Sequence, residues 1–299
     1  MDNQSFSDFE VIVVNDGPAY IQPEDLHWLN NHPHIRYHEH QKKRPGKKEA
    51  LAFGIESSQH EWLVLTDIDC EPGPDWLLSI ARRLPSSPGI LLGYSPYFYK
   101  RGLLNFMIRQ ETLLTAVQYL GWALKDHPYM GVGRNLIYHR QVYEKISFQS
   151  HLHLPSGDDD LFINEAANHF PVEVLTDPES FVYSVPPTTW QDWWRQKSRH
   201  LSMGKFYSFS SKIRISLFSL SLGMEKFLLF FLLLTGNFKW FLFFHFTKIL
   251  FTCSPLMRIY KKLDQKNDFW KMWVYEWLHV FYLTFASPWI FIKTKQKWE

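Results

Sequence analysis

The chain has 299 residues, a length that suits one large domain or two smaller ones, and 45% of them are hydrophobic. Lys and Arg number 32 against 30 Asp and Glu, and this near balance argues against nucleic acid or an acidic polymer as a partner. The two cysteines, Cys70 and Cys253, lie far apart and outside any CxxC or Cys/His spacing, which excludes a disulfide framework and indicates a reduced, cytoplasm-facing domain.

Predicted strands and helices alternate along the first two hundred residues. Strands are predicted at residues 9–14, 35–38 and 62–65, where apolar or β-branched runs end at turn-forming residues. Helices are predicted at residues 23–31 and 48–57, and elements of both kinds continue to residue 207. This order indicates an α/β domain with a mostly parallel sheet of the nucleotide-binding type, flanked by helices.

Two candidate ligand-binding residues occur early in this alternation. Asp16 follows the first predicted strand, where a carboxylate can accept hydrogen bonds from a nucleobase or ribose, although a strand-to-turn aspartate is also common. Lys47 and Lys48 follow Gly46 and are placed to approach a diphosphate, with a solvated helix start as the alternative.

Asp67 and Asp69 follow the predicted strand at residues 62–65 and precede a turn rich in Pro and Gly. Because side chains alternate along an extended chain, both carboxylates are expected to point the same way at the strand's carboxyl end. Oxygen ligands of this kind suit Mg²⁺ or Mn²⁺. An acidic turn that merely solvates the strand end is the other interpretation.

Three adjacent carboxylates, Asp158, Asp159 and Asp160, follow Gly157 at the start of a predicted helix. Such neighbours repel one another unless a cation, a basic group or a proton-transfer role offsets the cost. The helix amino terminus accounts for one of the three. A carboxylate next to a bound cation and a reacting hydroxyl can act as a general base.

Gln196 and Arg199 lie three residues apart in a predicted aromatic and basic helix. They therefore share a helix face, from which an amide and a guanidinium can both reach phosphate oxygens. A basic amphipathic helix at a membrane surface is an alternative, and both interpretations can hold together.

Taken in order, the segments VNDG, GKKEAL, TDIDC, GRNLIY, SGDDD and QKSRH resemble family 2 inverting glycosyltransferases of the GT-A fold, particularly bacterial members with C-terminal membrane segments. The resemblance covers residues 9–207 and implies a nucleotide-diphosphate sugar as donor. It implies that Asp16 contacts the nucleobase, with Lys47 near it. It further implies that Asp67 faces the ribose and sugar, and that Asp69 binds Mg²⁺ or Mn²⁺ on the diphosphate.

The same resemblance assigns the catalytic side of the site. Asp159 corresponds best to the family's catalytic base, with Asp158 as the alternative, while Gln196 and Arg199 match its QxxRW motif. His200 replaces the Trp of that motif, which removes an aromatic wall from the expected acceptor site. The family also has a strand and a helix ahead of the run FEVIVV, so this chain is expected to start at the second strand and to leave the sheet without a central strand.

The tail is predicted to be a helical membrane region. Apolar segments occur at residues 213–234, 238–253 and 269–292; the first is about long enough to span a bilayer and the second is slightly short. If these two form a hairpin, the basic residues that follow return to the cytoplasmic side, and the third segment lies in the interface or crosses. A buried helical bundle is the non-membrane alternative. We expect a catalytic domain at residues 1–210 and a membrane-associated tail at residues 211–299.

The leading hypothesis is a metal-dependent inverting glycosyltransferase on the cytoplasmic side of the cell membrane. It would move a sugar from a nucleotide-diphosphate sugar to a lipid-linked or cell-envelope glycan acceptor. The competing hypothesis is a catalytically inactive glycosyltransferase-like membrane scaffold.

Overall fold

The computed structural model describes residues 1–17, 22–154 and 156–286. Short strands occupy the first two thirds of this part of the chain, and they are β1 (Val11–Asn15), β2 (Ile35–Glu39), β3 (Trp62–Leu65), β4 (Cys70–Pro72), β5 (Ile90–Leu92), β6 (Leu136–His139), β7 (Val172–Val174) and β8 (Val182–Ser184). The helices are α1 (Pro23–Asn30), α2 (Lys48–Ser57), α3 (Trp76–Ala81), α4 (Leu103–Ala123), α5 (Arg140–Ile146), α6 (Asp160–Ala166), α7 (Trp190–Met203), α8 (Phe209–Leu234), α9 (Phe238–Lys262) and α10 (Met272–Phe281).

The strands form three sheets within the described residues. The largest has the order β3–β6–β5–β7, and β6 is antiparallel to both β3 and β5, whereas β5 and β7 are parallel. Three of its four strands therefore run in one direction. β1 and β2 form a separate parallel pair, and β4 pairs with β8. The predicted α/β fold, followed by a helical region, is confirmed.

The core lies on both faces of the largest sheet, as the alternation of side chains along its strands requires. Leu92 of β5 and Tyr138 of β6 pack on one face with Tyr119 of α4, in the larger buried cluster. Leu91 and Ile137 point to the opposite face and pack against Trp76 of α3. Helices on both faces make the central strands almost entirely apolar.

The apolar run that begins at Ile90 predicts a strand through residue 99, but β5 ends at Leu92. The side chain of Asn135 fills the space beside Gly93, where a Cβ atom would lie 2.3 Å from the amide carbon of Asn135. The Asn135 amide then donates to the carbonyl oxygens of Tyr94 and Ser180, at 2.9 and 2.8 Å. The buried side chain of Asn135 thus supplies hydrogen bonds where a longer β5 would have formed them with a neighbouring strand.

In the tail, α8 and α9 are long and apolar enough to cross a membrane by length and composition, which is weak evidence for a membrane. Lys226 of α8 donates to Glu276 of α10 at 2.7 Å, and Lys248 of α9 donates to Glu225 of α8 at 2.8 Å. These charged contacts join the three helices. Only part of the third predicted apolar segment is described, because its end at residues 287–292 lies outside the described residues.

The tail is also tied to the amino-terminal part by polar contacts from α4. Arg109 forms an ion pair with Asp268 at 2.5 Å and donates to Gln265 at 2.6 Å. Tyr260 of α9 donates to Gln110 at 2.6 Å. The described tail therefore packs on the α/β domain instead of hanging free of it.

Candidate active site

Lys47, immediately before α2, lies between two of the predicted carboxylates. Its Nζ atom is 2.8 Å from Asp67 Oδ1 and 3.1 Å from Asp158 Oδ2. Burial disfavours its charge, but the carboxylates of Asp158 and Asp67 outweigh this effect and raise the pKa of Lys47 above its usual value. The charged ammonium of Lys47 therefore lies between Asp67, just beyond the end of β3, and Asp158 in the acidic run.

Asp159 is the amino-terminal cap of α6. Its Oδ1 atom accepts a hydrogen bond from the backbone N–H of Asp160 at 2.7 Å, and its Oδ2 atom accepts one from Gly133 at 2.8 Å. Burial and the neighbouring Asp158 raise the pKa of Asp159, against the lowering effect of Lys47. Asp158 is buried, whereas Asp159 is half-buried, which leaves Asp159 the more accessible of the two candidate bases.

Asp160 has a different partner and connects the cluster to the segment just ahead of α8. Its Oδ2 atom accepts a hydrogen bond at 2.8 Å from Tyr207, which lies just ahead of α8. Burial and the neighbouring Asp159 raise the pKa of Asp160 to about 7. The three adjacent carboxylates therefore have different environments: an ion pair, a helix cap and a buried hydroxyl contact.

Asp16 and Asp69 lie with Lys47 and Asp67 around one cavity of about 1440 Å³. Asp16, beyond the end of β1, is 3.4 Å from the ammonium of Lys42. Asp69 is exposed, and its described partner is the thiol of the adjacent Cys70 at 3.8 Å. Four of the six residues predicted for donor and metal binding are therefore brought to a single cavity.

The predicted geometry between Asp67 and Asp69 is wrong in one respect. The backbone N–H of Cys70 donates to the carbonyl of Asp67 at 3.1 Å, so residues 67–70 form a turn instead of an extended strand end. The intervening Ile68 is 96% exposed. Alternation therefore does not apply here, and Asp67 pairs with Lys47 while Asp69 is left open to solvent.

Within the described residues, no group of three or more His, Cys, Asp or Glu side chains is arranged to hold a metal ion. The exposed carboxylate of Asp69 nevertheless fits Mg²⁺ or Mn²⁺ held jointly with substrate, because Mg²⁺ commonly takes one or two carboxylates plus phosphate oxygens. Asp67 is the weaker candidate because Lys47 already neutralises its charge.

Gln196 and Arg199 lie on α7, and the residues that line the cavity do not include them. The Gln196 amide donates to the hydroxyl of Tyr97 at 3.1 Å, and the guanidinium of Arg134 lies 4.3 Å from the centre of the Tyr97 ring. Gly133, the residue before Arg134, donates its backbone N–H to Asp159 at 2.8 Å. The basic face of α7 thus adjoins the Lys47 cluster through Tyr97 and Arg134.

Two residues in the site were missed or misplaced by the sequence interpretation. Arg134 belongs to the GRNLIY segment, but its contact with Tyr97 depends on a fold that brings two loops together. Lys48 was expected beside a diphosphate with Lys47. It is buried instead, and its ammonium donates to the carbonyl oxygens of His151, Leu154 and Ser156 at 2.6, 3.2 and 2.7 Å.

Residues 2–147 match the family model described as glycosyl transferase family 2. The chain carries a glycosyl transferase family 2 domain. The match includes Asp16, Lys47, Asp67 and Asp69, and it ends before the acidic run at residues 158–160. The predicted family is thereby confirmed for this part of the chain.

Solved structures similar to this chain include S. aureus TarS and the mannosyltransferase PcManGT from Pyrobaculum calidifontis in complex with GDP-Man and Mn²⁺. TarS is 19% identical with a TM-score of 0.46, over 66% of this chain and 35% of that protein. For PcManGT the values are 19%, 0.48, 67% and 55%. The chain thus spans about a third to a half of their lengths, and scores of this size add nothing to the family assignment. No curated protein sequence matches the chain.

Proposed function

We propose that this protein is a glycosyltransferase that moves a sugar from a nucleotide-diphosphate sugar to an acceptor hydroxyl, with inversion at the anomeric carbon. The observation that carries the proposal is the arrangement around Lys47, whose ammonium contacts Asp67 and Asp158. Asp16 and Asp69 line the same cavity as Lys47. Carboxylates suited to a nucleoside, a metal and a proton therefore surround one cation suited to a diphosphate.

On the donor side, Asp16 would accept hydrogen bonds from the nucleobase, and Asp67 would face the ribose and sugar. Lys47 would approach the diphosphate, since its raised pKa keeps it charged over the working pH range. Gln196 and Arg199 would reach phosphate oxygens from α7. When Mg²⁺ or Mn²⁺ is bound at Asp69, it would supply further positive charge beside the diphosphate.

On the acceptor side, Asp159 would take the proton from the attacking hydroxyl. Its raised pKa brings it closer to the working pH, which favours proton transfer, and it is more accessible than Asp158. Asp158 is the alternative base, although its contact with Lys47 stabilises its charged form. One base and one direct displacement give inversion, and Lys47 and Arg199 stabilise the charge on the departing diphosphate.

We further propose that residues 211–299 hold the domain at the cytoplasmic side of the cell membrane, where the acceptor is a lipid-linked or cell-envelope glycan. The support is the apolar surface of α8 and α9, which exposes large side chains such as Phe227, Phe230 and Phe243. Trp190 at the start of α7 is also exposed and suits a membrane interface.

Turnover tests this proposal. The full chain in lipid nanodiscs is incubated with Mn²⁺ or Mg²⁺, a bacterial lipid extract and a panel of nucleotide-diphosphate sugars, and nucleoside diphosphate release is measured. We expect release with at least one donor, loss of ~10²-fold or more in Asp159→Asn, and unchanged release in Glu144→Gln, a matched change on an exposed carboxylate. A product with the donor's anomeric configuration would overturn inversion.

A second candidate function is a catalytically inactive membrane scaffold. The observation that favours it is the separation of β1 from β3, which leaves the cavity at the donor side wide open. The scaffold predicts a folded chain that binds no nucleotide sugar and releases no nucleoside diphosphate under any condition of the same assay.

A further inference from the structure

Helix α6, which begins at the acidic run, is held by the segment that leads into α8. We call this segment, residues 207–211, the α8 junction. The hydroxyl of Tyr207 donates to Asp160 Oδ2 at 2.8 Å. Four residues further along α6, Asn164 Oδ1 accepts a hydrogen bond from the backbone N–H of Ser208 at 3.0 Å. Because residues four apart share one face of a helix, a single face of α6 binds the α8 junction.

The α8 junction also begins a helix that is long and apolar enough to cross a membrane. Ser208 is the amino-terminal cap of α8, and its hydroxyl accepts a hydrogen bond from the N–H of Ser211 at 3.4 Å. Ser211 is buried, and its hydroxyl accepts one from the amide of Asn164 at 3.3 Å. The same amide donates to the carbonyl of Tyr129 at 2.9 Å. The first turn of α8 is therefore seated directly on α6.

Asp160 links this contact to the proposed base, Asp159. The backbone N–H of Asp160 donates to Asp159 Oδ1 at 2.7 Å, so the position of the base follows the backbone of Asp160. The Asp160 carboxylate is buried; its Oδ1 atom accepts from the N–H of Leu161 at 2.8 Å, and its Oδ2 atom accepts from Tyr207. Removing the Tyr207 hydroxyl takes a donor from a buried carboxylate, which is costly unless that carboxylate moves.

The donor side of the site is held by other contacts. Lys47 is fixed by Asp67 and Asp158, and the residues that line the donor cavity do not include Tyr207. A general base, by contrast, must lie within hydrogen-bonding reach of the proton that it removes, and a misplacement of about 1 Å can be very costly. A change at Tyr207 should therefore affect proton removal and leave donor binding as it is.

We propose that Tyr207 is a positioning residue for the acceptor half of the reaction. Its hydroxyl holds Asp160 and, through Asp160, the start of α6, so that Asp159 meets the acceptor hydroxyl. This inference rests on the proposed role of Asp159 as the base. Because Tyr207 stands directly ahead of the cap of α8, the base is placed by the same segment that begins the candidate membrane helix. Acceptor transfer therefore depends on how the tail is held.

Amide hydrogen exchange of the full chain in lipid nanodiscs tests the physical link. Tyr207→Phe removes the hydroxyl but keeps the ring, which packs edge to face on Tyr129. Tyr99→Phe, on a side chain that is 64% exposed, is the matched control. We expect the amides of residues 160–163 to exchange about tenfold faster in Tyr207→Phe, with those of α5 unchanged, and no difference in Tyr99→Phe. This measurement requires neither a donor nor turnover.

Two nucleophiles separate base placement from a loss of folded protein. With an acceptor hydroxyl, the new bond joins oxygen to the anomeric carbon, the bond to the diphosphate oxygen breaks, and the proton goes to Asp159. Azide attacks the same carbon and displaces the same diphosphate, but it has no proton to lose. We expect Tyr207→Phe to slow transfer to the lipid extract by ~10-fold or more, with the KM for donor and the rate of glycosyl azide formation unchanged. A smaller folded fraction would lower both rates equally.

A double variant tests whether Tyr207 acts through Asp160. Adding Tyr207→Phe to Asp160→Ala should slow hydroxyl transfer no further, because the contact is already lost. Unchanged exchange at residues 160–163, equal losses with the hydroxyl and azide, or a further loss in the double variant would each overturn the proposal. Faster exchange in Tyr207→Phe, in a chain that turns over no donor, would support the hold of Tyr207 on α6 while overturning the proposed function.

Discussion

Replacing Lys48 by Met tests how the acidic run is held. The Lys48 ammonium is buried and donates to three carbonyl oxygens, those of His151, Leu154 and Ser156, in the segment just ahead of Asp158. Methionine keeps the length and volume of the side chain but donates no hydrogen bond. Lys48→Met therefore frees three carbonyl groups more than a hundred residues away in sequence.

The expected cost follows from these contacts. Hydrogen bonds from a charged donor contribute about 1.5–3 kcal/mol each, while relief from burying the charge, which lowers the pKa of Lys48, offsets part of the total. A net loss of about 2–4 kcal/mol is reasonable. At about 2.1 cal/mol/K per residue, this lowers the Tm of a chain of 299 residues by roughly 3–6 °C.

Two assays distinguish a loss of correct placement of the acidic run from a general loss of stability in Lys48→Met. Scanning calorimetry measures the Tm, and steady-state kinetics should show a lower kcat with little change in the KM for donor, because Lys48 contacts the base-bearing segment and not the donor cavity. Lys43→Met, on an exposed lysine nearby, is the matched control and should leave Tm and kcat unchanged. A Lys48→Met protein with the Tm and kcat of the unmodified chain would refute the reasoning.

Three further changes have predicted outcomes. Because burial and Asp159 raise the pKa of Asp160 from 3.8 to about 7, the folded protein binds this proton more tightly than the unfolded chain, and the free energy of unfolding should fall as pH rises through that interval. Asp160→Asn should remove up to about 4 kcal/mol of this pH-dependent change in the free energy of unfolding, as measured by denaturant titrations across the interval. An unchanged pH dependence would contradict the assignment. Arg109→Met should leave the buried Asp268 with the more exposed Lys271 as its remaining described cation, destabilise the chain by about 1.5–3 kcal/mol and speed proteolysis between domain and tail; equal proteolysis rates would contradict this. Lys47→Gln should weaken donor binding by ~10-fold or more, measured by titration, and unchanged affinity would exclude a diphosphate contact.

The α/β order and the positions of most strands could be predicted because they depend on local patterns. The strand at residues 62–65 was found with its bounds, since a short apolar run ended by Pro and Gly is a local signal. Asp16 and Asp67 each follow a predicted strand, and both line one cavity, although β1 and β3 belong to different sheets.

What could not be predicted depends on contacts between distant segments. Nothing local distinguishes Lys47 from Lys48, yet one reaches Asp67 and the other reaches carbonyl groups beyond residue 150. The turn that separates Asp67 from Asp69 depends on a single backbone hydrogen bond. The contact from Tyr207 to Asp160 joins the segment ahead of α8 to the site, and neither residue's sequence neighbours predicted it.

Donor binding tests the central claim most directly. The full chain in nanodiscs is titrated calorimetrically with UDP-, GDP- and dTDP-sugars in the presence of Mn²⁺. We expect at least one of them to bind, Asp69→Ala to lose the binding, and Asp159→Ala to keep it, because Asp69 acts on the diphosphate and Asp159 on the acceptor. Absence of binding by every donor, or binding that survives in Asp69→Ala and disappears in Asp159→Ala, would contradict the account.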